Sequence, residues 1–222
     1  MRPSLASNFG IESGAFWPPA ACGLRDALAW VTIRSNSGAD GIQVGEACII
    51  VDCVSRANVG DGIEVFNDSR VSGNVCDDNG SGDGASIHAL GTRNRIEHNR
   101  CANADRGLDI DQGGNFIADN VVLEHTANYT IIAGNSVEVL LSELPEGINF
   151  SCRVKLAGSL RYTGTGNGLS INDAEVDIDL NGFTLEGSAG SGAGIVIGSF
   201  SLERAVSVRN GTIRGWGAEG AN

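Results

Sequence analysis

A five-residue motif returns along the first half of this chain at an almost constant interval. Its copies occupy residues 40–44 (DGIQV), 61–65 (DGIEV), 83–87 (DGASI) and 106–110 (RGLDI). A degenerate fifth copy begins near Asn128, and a second series in phase with the first consists of Asn36, Asn58, Asn79 and Asn103. A nearly fixed interval of about 22 residues predicts a solenoid in which each copy belongs to one coil.

Each repeat contains short stretches in which apolar and polar residues alternate, such as residues 63–65 and 71–75. Alternation predicts strands with one buried face, and there is no helical pattern to carry a crossover between them. Asn and Gly at a fixed phase suit the corners, where positive φ or side-chain bonding to the next coil is needed. A leucine-rich repeat is disfavoured because its ladder of leucines is absent, and an antiparallel sandwich would need hairpins between longer strands.

The composition agrees with repetitive β structure, because 32 Gly and 5% aromatic residues describe many tight corners and small or branched core residues. We therefore predict an all-β fold, a single-stranded right-handed parallel β-helix of about 8 to 9 coils with about 22 residues each.

The second half of the chain carries motifs of a different type. They are residues 166–171 (GNGLSI), 176–183 (VDIDLNGF) and 209–216 (RNGTIRGW). With these motifs, residues 156–216 resemble the opening coils of bacterial right-handed β-helix repeat proteins of the pectate-lyase-like superfamily. Residues 35–135 resemble the middle and final coils of the same proteins. The resemblance implies a carbohydrate-associated protein outside the cell or at its surface, but it is not specific for an activity.

The order of these coils is inverted relative to that family, in which coils of the Asp-Leu-Asn-Gly-Phe type precede the Asp-Gly-Ile coils. A circular permutation accounts for the inversion, and so does a fragment or a fusion of two pieces. We interpret residues 1–222 as one β-helix domain. Within it we expect regular coils over 29–135, a connecting segment over 136–151 and coils resembling the family's N-terminal coils over 152–222.

The formal net charge is −12, from 15 Lys and Arg against 27 Asp and Glu. Nucleic acid is therefore not expected as a partner, and no basic patch is expected because Lys155 is the one lysine and the arginines are scattered along the sequence. The same charge disfavours a polyanionic polysaccharide unless a metal ion bridges the two.

No apolar run is long enough to predict a transmembrane helix. Residues 1–24 are a poor secretory signal peptide, because Glu12, Gly14 and two prolines interrupt their apolar stretch. The compartment and the oligomeric state are both left open by the sequence.

The six cysteines form no Cys-x-x-Cys pair, which disfavours a structural zinc site. Cys76 and Cys101 share one phase in adjacent coils. We expect them to stack as inward thiols, with a disulfide between them as the alternative.

Period-two alternation places a set of side chains on the outward face of the repeated Gly-Ile strands. If Ile63, Ile87 and Leu108 point inward, the residues next to them point outward and stack in adjacent coils. These outward residues are Gln43, Glu64, Phe66, Ser86, His88, Asp109 and Asp111. No arginine is expected in these outward columns.

Carboxylates gathered in this way are what acid/base cleavage of a glycosidic bond requires, one to protonate the leaving oxygen and one to activate water. The candidate catalytic residues are Glu64, His88, Asp109 and Asp111. The candidate substrate-binding residues are Gln43, Phe66 and Ser86. We assign no metal ligands and no cofactor, with Ca²⁺ held by the two aspartates as the alternative.

The remaining polar residues of interest have structural explanations. Asp177 and Asp179 belong to a coil whose corner is Asn181-Gly182, so a structural role is expected for both. His98 and His125 fall on other faces of the repeat, where surface or turn positions account for them.

Two functions of different class remain open. The first is a non-catalytic carbohydrate-associated or structural β-helix that serves as a scaffold or binding module, with polysaccharide as its partner. The second is a polysaccharide-cleaving enzyme, either a glycoside hydrolase or a Ca²⁺-dependent lyase. Such an enzyme is expected to carry a triad of acids or an acid with an arginine, whereas this sequence offers acids with a histidine. We therefore favour the first function.

Overall fold

The structure is a computed structural model that describes residues 27–35, 40–81, 83–172, 175–198 and 205–217. The predictions for Asn36 and for residues 1–24 lie outside these ranges. The described residues form strands and no helix, so none of their segments is a helix that could cross a membrane. The chain divides into two compact units, Met1–Asn135 and Ser136–Asn222.

The first unit is built from short strands that all pair in parallel. They are β1 (Ala27–Ala29), β2 (Thr32–Arg34), β3 (Ile42–Val44), β4 (Ile49–Val51), β5 (Val54–Arg56), β6 (Ile63–Val65), β7 (Arg70–Ser72), β8 (Val75–Asp77), β9 (Ala85–Ala89), β10 (Arg95–Glu97), β11 (Arg100–Ala102), β12 (Arg106–Ile110), β13 (Phe116–Leu123) and β14 (Ala127–Ile131). A complete turn contributes one strand to each of three faces. The Gly-Ile face is the row β3-β6-β9-β12-β14.

The long strand β13 joins the other two faces of the first unit. The arginine face is the row β1-β4-β7-β10, to which the first half of β13 pairs. The cysteine face is the row β2-β5-β8-β11, to which the second half of β13 pairs.

The second unit repeats this three-faced plan. Its strands are β15 (Ser136–Leu141), β16 (Glu146–Ile148), β17 (Cys152–Leu156), β18 (Leu160–Arg161), β19 (Leu169–Ile171), β20 (Val176–Asp179), β21 (Thr184–Glu186), β22 (Ile195–Ile197), β23 (Val206–Arg209) and β24 (Thr212–Arg214). Within this unit β15 pairs with β17, β17 with β20 and β20 with β23, while β16-β19-β22 and β18-β21-β24 form the other two rows. Residues 136–151, interpreted from sequence as a connecting segment, thus contain β15 and β16, which pair in parallel with β17 and β19.

The prediction of a parallel β-solenoid with about 22 residues per turn is confirmed, and the part of the chain that the structure describes forms about 7 turns, against the 8 to 9 predicted for the whole chain. Turns in the second unit are longer than the motif interval. Cys152 on β17 pairs with Val176 on β20, and Val176 pairs in turn with Val206 on β23. Both steps along the chain exceed every spacing between the motif copies of the first unit.

Inward apolar ladders form the core of the first unit. Ile42, Ile63, Ile87 and Leu108 are register partners on successive strands of the Gly-Ile face, and all four are buried. Burying such a side chain fully is worth about 1.5 to 3 kcal/mol. Stacking of identical or similar side chains therefore stabilises each turn on the next.

Asparagine side chains connect successive turns at the corners, as expected. The Asn99 carboxamide oxygen accepts from the Asn74 backbone N–H at 3.0 Å, and its nitrogen donates to the Asn120 side chain at 2.9 Å. Asn58 and Asn79 are linked in the same way. These amides satisfy backbone groups that are shut off from water, which would otherwise be costly.

The motif glycines are required for space and not for an unusual backbone angle. A Cβ on Gly62 would lie 2.6 Å from the Ser86 carbonyl oxygen, and one on Gly107 would lie 2.4 Å from the Asn128 carbonyl oxygen. Many corners with positive φ are instead made by other residues, including Asp52 and Asp78. Glycine therefore recurs in the motif because adjacent turns approach too closely there for a side chain.

Cys76 and Cys101 are register partners on the cysteine face, and both are buried free thiols. The prediction of stacked inward thiols is confirmed. Their mutual hydrogen bond and their burial raise the pKa of the Cys76 thiol well above its usual range.

Candidate acidic site on the Gly-Ile face

One outward column of the Gly-Ile face brings four predicted site residues together. Gln43, Glu64, His88 and Asp109 are successive register partners on β3, β6, β9 and β12. Neighbouring strands lie about 4.8 Å apart, so each of these side chains contacts the next turn.

The register differs by two residues from the one that the motif copies suggest. Aligning the copies by their first residue matches Ile63 with Ala85, whereas in the structure Ile63 pairs with Ile87. A shift of two residues keeps every side chain on its face, so the predicted outward set is retained. It moves His88, rather than Ser86, into line with Glu64 and Asp109.

The shift also explains why Ser86 is buried, although the alternation places it among the outward residues. Ser86 takes the place in the third turn that Gly62 and Gly107 take in the turns on either side. Because adjacent turns approach closely there, Ser86 is fully buried, and its hydroxyl has no hydrogen-bond partner among the described residues. Its position does not allow contact with a ligand on the outer surface.

His88 is at the centre of the site and is only 17% exposed. Its Nδ1 lies 2.8 Å from an Asp61 carboxylate oxygen, and its Nε2 lies 3.3 Å from an Asp111 oxygen. Glu64 and Asp109 are slightly farther away, at 3.9 and 4.0 Å from the ring nitrogens. The imidazole is therefore surrounded by four carboxylates.

This environment raises the pKa of His88 to about 9, principally through the hydrogen bond to Asp61. Burial acts in the opposite direction, and the charges of Asp61 and Asp109 and the bond to Asp111 add to the increase. His88 is consequently an imidazolium ion at neutral pH.

Asp61 was missing from the predicted site although it begins the second copy of the motif. Its carboxylate accepts from the Ala85 backbone N–H at 2.6 Å as well as bonding His88. Its own backbone N–H donates to Asp40 at 2.7 Å, and burial raises the pKa of the Asp40 carboxyl group. The recurring Asp of the motif was the available signal, because it begins three of the four clear copies, at residues 40, 61 and 83.

Arg106 also contacts the site, although it lies outside the outward columns as the register partner of Ala85. Its guanidinium bonds both Asp109 and Asp83. Asp109 is almost completely buried, with 3% of its side chain exposed, whereas Asp83 is 84% exposed. Arg106 thus neutralises the most buried carboxylate of the site.

Two overlapping sets of residues have the geometry to hold a metal ion. The first set is Asp61, Glu64 and His88, and the second set is His88, Asp109 and Asp111. Within each set the ligand atoms lie within 4.8 Å of one another. Both sets include His88, which ligates only when neutral, and Arg106 already binds Asp109. A Ca²⁺ ion bound in either set would therefore have to displace the proton of His88, and in the second set it would also compete with Arg106 for Asp109.

The predicted substrate-binding residues other than Ser86 lie at the surface. Gln43 is exposed and donates to Glu64 in the next turn. Phe66 immediately follows β6 and is 43% exposed. Asp111 immediately follows β12 and is 48% exposed, so these three residues remain accessible around the buried ion pairs.

The polar residues expected to be structural have local partners. In the second unit the Arg209 guanidinium bonds Asp177 at 2.8 Å and Asp179 at 3.3 Å. The pKa of the Asp177 carboxyl group is lowered by the Ser207 hydroxyl and by Arg209. The pKa of the Asp179 carboxyl group is lowered by the Asn181 backbone N–H, by Asn210 and by Arg209. The corner at Asn181-Gly182 has positive φ at both residues.

The two remaining histidines lie away from the candidate site in the first unit. His98 is exposed at a corner with positive φ. His125 binds the backbone of Ala104.

No family model, no curated protein and no solved structure matches the chain.

Proposed function

We propose that this β-solenoid is a non-catalytic binding module whose Gly-Ile face contacts carbohydrate. The observation that carries the proposal is the pairing of the candidate carboxylates with protein cations. Asp61 and Asp111 bond the imidazolium of His88, and Asp109 bonds Arg106. Groups held in this way stabilise the fold and are not free to act on a substrate.

Glycosidic bond cleavage needs one carboxylic acid that gives a proton and one carboxylate that attacks or activates water. Asp109 is the most central candidate, but it is almost completely buried beneath the Arg106 bond. Asp111 is the exposed acid of the set. One accessible carboxylate is insufficient for the two-carboxylate chemistry.

The outer surface of the same face offers groups that suit a sugar chain. Phe66 presents an exposed ring, and flat aromatic surfaces with nearby polar groups are common in binding sites. Gln43 and Asp111 supply exposed polar groups in other turns. Because turns repeat about every 4.8 Å, the face offers a ladder of contacts to an extended polymer.

One observation favours the alternative, a polysaccharide-cleaving enzyme. Arg106 lies beside Asp109 and near His88, and an acid with an arginine is the combination that the sequence alone did not provide. A lyase reaction requires such a cation near the substrate. The alternative therefore remains the second candidate and is tested in the same experiment.

The experiment combines binding and turnover on one panel of neutral and acidic polysaccharides. Binding is measured by calorimetry, and turnover by reducing ends and by the ultraviolet absorbance of unsaturated uronates. The variants are Phe66→Ala, Asp111→Asn and Asp109→Asn. The matched control is Val75→Ala, which removes a similarly exposed apolar side chain from the cysteine face.

Binding without turnover that is weakened by Phe66→Ala and not by Val75→Ala supports the proposal. Turnover that Asp109→Asn or Asp111→Asn abolishes overturns it in favour of the enzyme. Absence of binding to every polysaccharide contradicts carbohydrate recognition and leaves the solenoid as a structural scaffold.

A further inference from the structure

Four asparagines in the chain are followed directly by glycine. The pairs are Asn79-Gly80, Asn167-Gly168, Asn181-Gly182 and Asn210-Gly211. Asparagine is chemically labile, and it is most labile before glycine, because glycine has no side chain to keep its backbone nitrogen away from the asparagine amide carbon. Whether a folded chain permits this attack depends on whether the glycine nitrogen and the asparagine side chain are free to meet.

Three of these pairs are protected by hydrogen bonds between turns. The backbone nitrogens of Gly80, Gly168 and Gly182 donate to main-chain carbonyl oxygens of neighbouring turns at 2.9, 3.0 and 2.7 Å. Asn79 is also buried, and the Asn181 side-chain nitrogen donates to a carbonyl oxygen of the turn before it at 3.3 Å. Attack in these pairs therefore requires that a hydrogen bond of the stack is first broken.

Asn210-Gly211 is the pair without this protection. It forms the bend between β23 and β24, both of its residues are exposed, and Asn210 has positive φ. The Gly211 nitrogen makes no hydrogen bond to any residue that the structure describes. The Asn210 side-chain nitrogen donates to Asp179 at 3.0 Å across an exposed contact. The attacking nitrogen and the amide that it attacks are thus both accessible in the folded chain.

We infer that Asn210 is a site of spontaneous deamidation in the folded protein. The Gly211 backbone nitrogen bonds to the Asn210 amide carbon, the bond from that carbon to Nδ2 breaks, and ammonia leaves with the proton from the Gly211 nitrogen. The product is a cyclic succinimide. Water then opens the ring at either carbonyl carbon and gives aspartate or isoaspartate, so the reaction needs no cofactor, oxidant or enzyme.

Both products remove an amide donor and introduce a carboxylate next to two existing acids. The Asn210 side chain donates to Asp179, whereas a carboxylate has no proton to donate and repels it. Arg209 already bonds Asp177 and Asp179, so a third acid has to share that guanidinium with both. The corner between β23 and β24 is therefore destabilised by the new charge.

Isoaspartate also lengthens the main chain by a carbon atom, because the chain then runs through the former side chain. The backbone at Gly211 has no room for this, since a Cβ there would meet the Leu180 Cβ and would lie 2.6 Å from the Phe183 carbonyl oxygen. The Thr212 nitrogen donates to the same oxygen at 3.1 Å, and Thr212 is the register partner of Thr184. The isoaspartyl product is therefore expected to break the pairing of β24 with β21.

The consequence is local, because β23 and β24 each pair on one side among the strands that the structure describes. β23 pairs with β20 and β24 pairs with β21, and most residues of both strands are exposed. In a solenoid each turn contacts its neighbours, so a turn covered on one side opens at a lower free energy than the turns behind it. Deamidation of Asn210 thus loosens this turn and leaves β15–β21 paired.

The test incubates the full chain at neutral and alkaline pH, both folded and unfolded in guanidinium chloride, and locates deamidated residues by mass spectrometry. Trypsin releases residues 210–214 as one peptide, which separates Asn210 from the other pairs. In the folded chain Asn210 is expected to convert about fivefold or more faster than Asn181, the rate equivalent of the bond of about 1 kcal/mol that Gly182 has to break first. In the unfolded chain the two initial rates should be similar, because both pairs are Asn-Gly.

Matched variants separate the two corners. Asn210→Gly removes the labile amide and suits the positive φ of this position, and the control is Asn181→Gly at the neighbouring corner, which also has positive φ. Release of ammonia from the folded chain should be largely lost in the first variant and retained in the second. Exchange of the Thr212 amide hydrogen should accelerate in the isoaspartyl fraction, whereas the Ala157 amide, which donates to Leu141 at 2.9 Å, should stay protected.

A rate at Asn210 in the folded chain that equals or falls below the rate at Asn181 overturns the inference, as does conversion of Asn210 in the unfolded chain alone. An isoaspartyl fraction in which the Thr212 amide stays as protected as before overturns the loosening of the turn. Faster conversion at Asn210 that Asn210→Gly abolishes and Asn181→Gly does not, together with faster Thr212 exchange, supports both steps.

Discussion

The charge state of His88 allows a direct test of the ion-pair network on the Gly-Ile face. Its pKa is raised from 6.5 to about 9 in the folded chain. Each pKa unit corresponds to about 1.36 kcal/mol of differential stabilisation, so protonated His88 contributes about 3 kcal/mol to the free energy of unfolding. Little of this is lost to solvent screening, because the side chain is 17% exposed.

The folded pKa is above the unfolded one, so this stabilisation is complete below pH 6.5 and disappears as the pH rises through about 9. The assay is urea unfolding of the wild type and of His88→Gln in reducing buffer between pH 6 and 10. The thiols of the unfolded chain titrate in the same range, so the quantity of interest is the difference between the two proteins at each pH. We expect that difference to shrink by about 3 kcal/mol from pH 6 to pH 10.

The ring resonance of His88 provides an independent measurement. Asp61→Asn is expected to lower the pKa of His88 substantially, because the Asp61 hydrogen bond is the largest cause of the shift. Asp111→Asn should lower it less, since that partner is half exposed and more distant. A stability difference that is the same at pH 6 and pH 10, or a His88 pKa near 6.5, would refute the reasoning.

Three further predictions concern residues whose surroundings are equally defined. Arg106→Gln is expected to destabilise the fold by about 2 to 4 kcal/mol, because it removes the guanidinium that bonds the buried Asp109 and leaves it only the more distant His88. Asp83→Asn should change stability by less than about 0.5 kcal/mol, because Asp83 is exposed. Equal effects of the two substitutions in urea unfolding would contradict this difference. Gly62→Ala should cost about 1 to 3 kcal/mol, since its Cβ meets a backbone carbonyl of the next turn. Gly147→Ala, with nothing within 4 Å of its Cβ, should be neutral in the same urea unfolding assay. Asn99→Ala should cost about 2 to 3 kcal/mol because it leaves a buried backbone N–H without an acceptor, and hydrogen exchange of that amide should accelerate; a protected amide would show that another acceptor replaces it.

The face of each site residue was predictable, but the alignment of the turns was not. Period-two alternation put Glu64, His88 and Asp109 outward regardless of register. The third copy of the motif is displaced by two residues in the stack, because turn lengths differ while the inward ladder of Ile63 and Ile87 stays continuous. The burial of Ser86 was not predictable for this reason, since its environment depends on which residue lies in the turns above and below.

The contacts of Arg106 and the pairing of Arg70 with Arg95 could not be predicted from the sequence. A long side chain at a strand end reaches partners on its own or an adjacent turn, and its choice of Asp109 and Asp83 depends on where those carboxylates lie in space. Arg70 and Arg95 are farther apart along the chain than any two successive copies of the motif, so only the strand pairing shows that they meet.

By itself the sequence determined the solenoid, its period and the inward ladders, because in a repeat fold each turn contacts its neighbours and periodicity along the chain becomes periodicity in space. The tertiary structure alone decided the number of turns, the exact partners of the charged side chains and the protonation of His88. Those properties depend on distances of a few ångströms between residues whose separation in sequence varies from turn to turn, and electrostatic interactions change steeply over such distances.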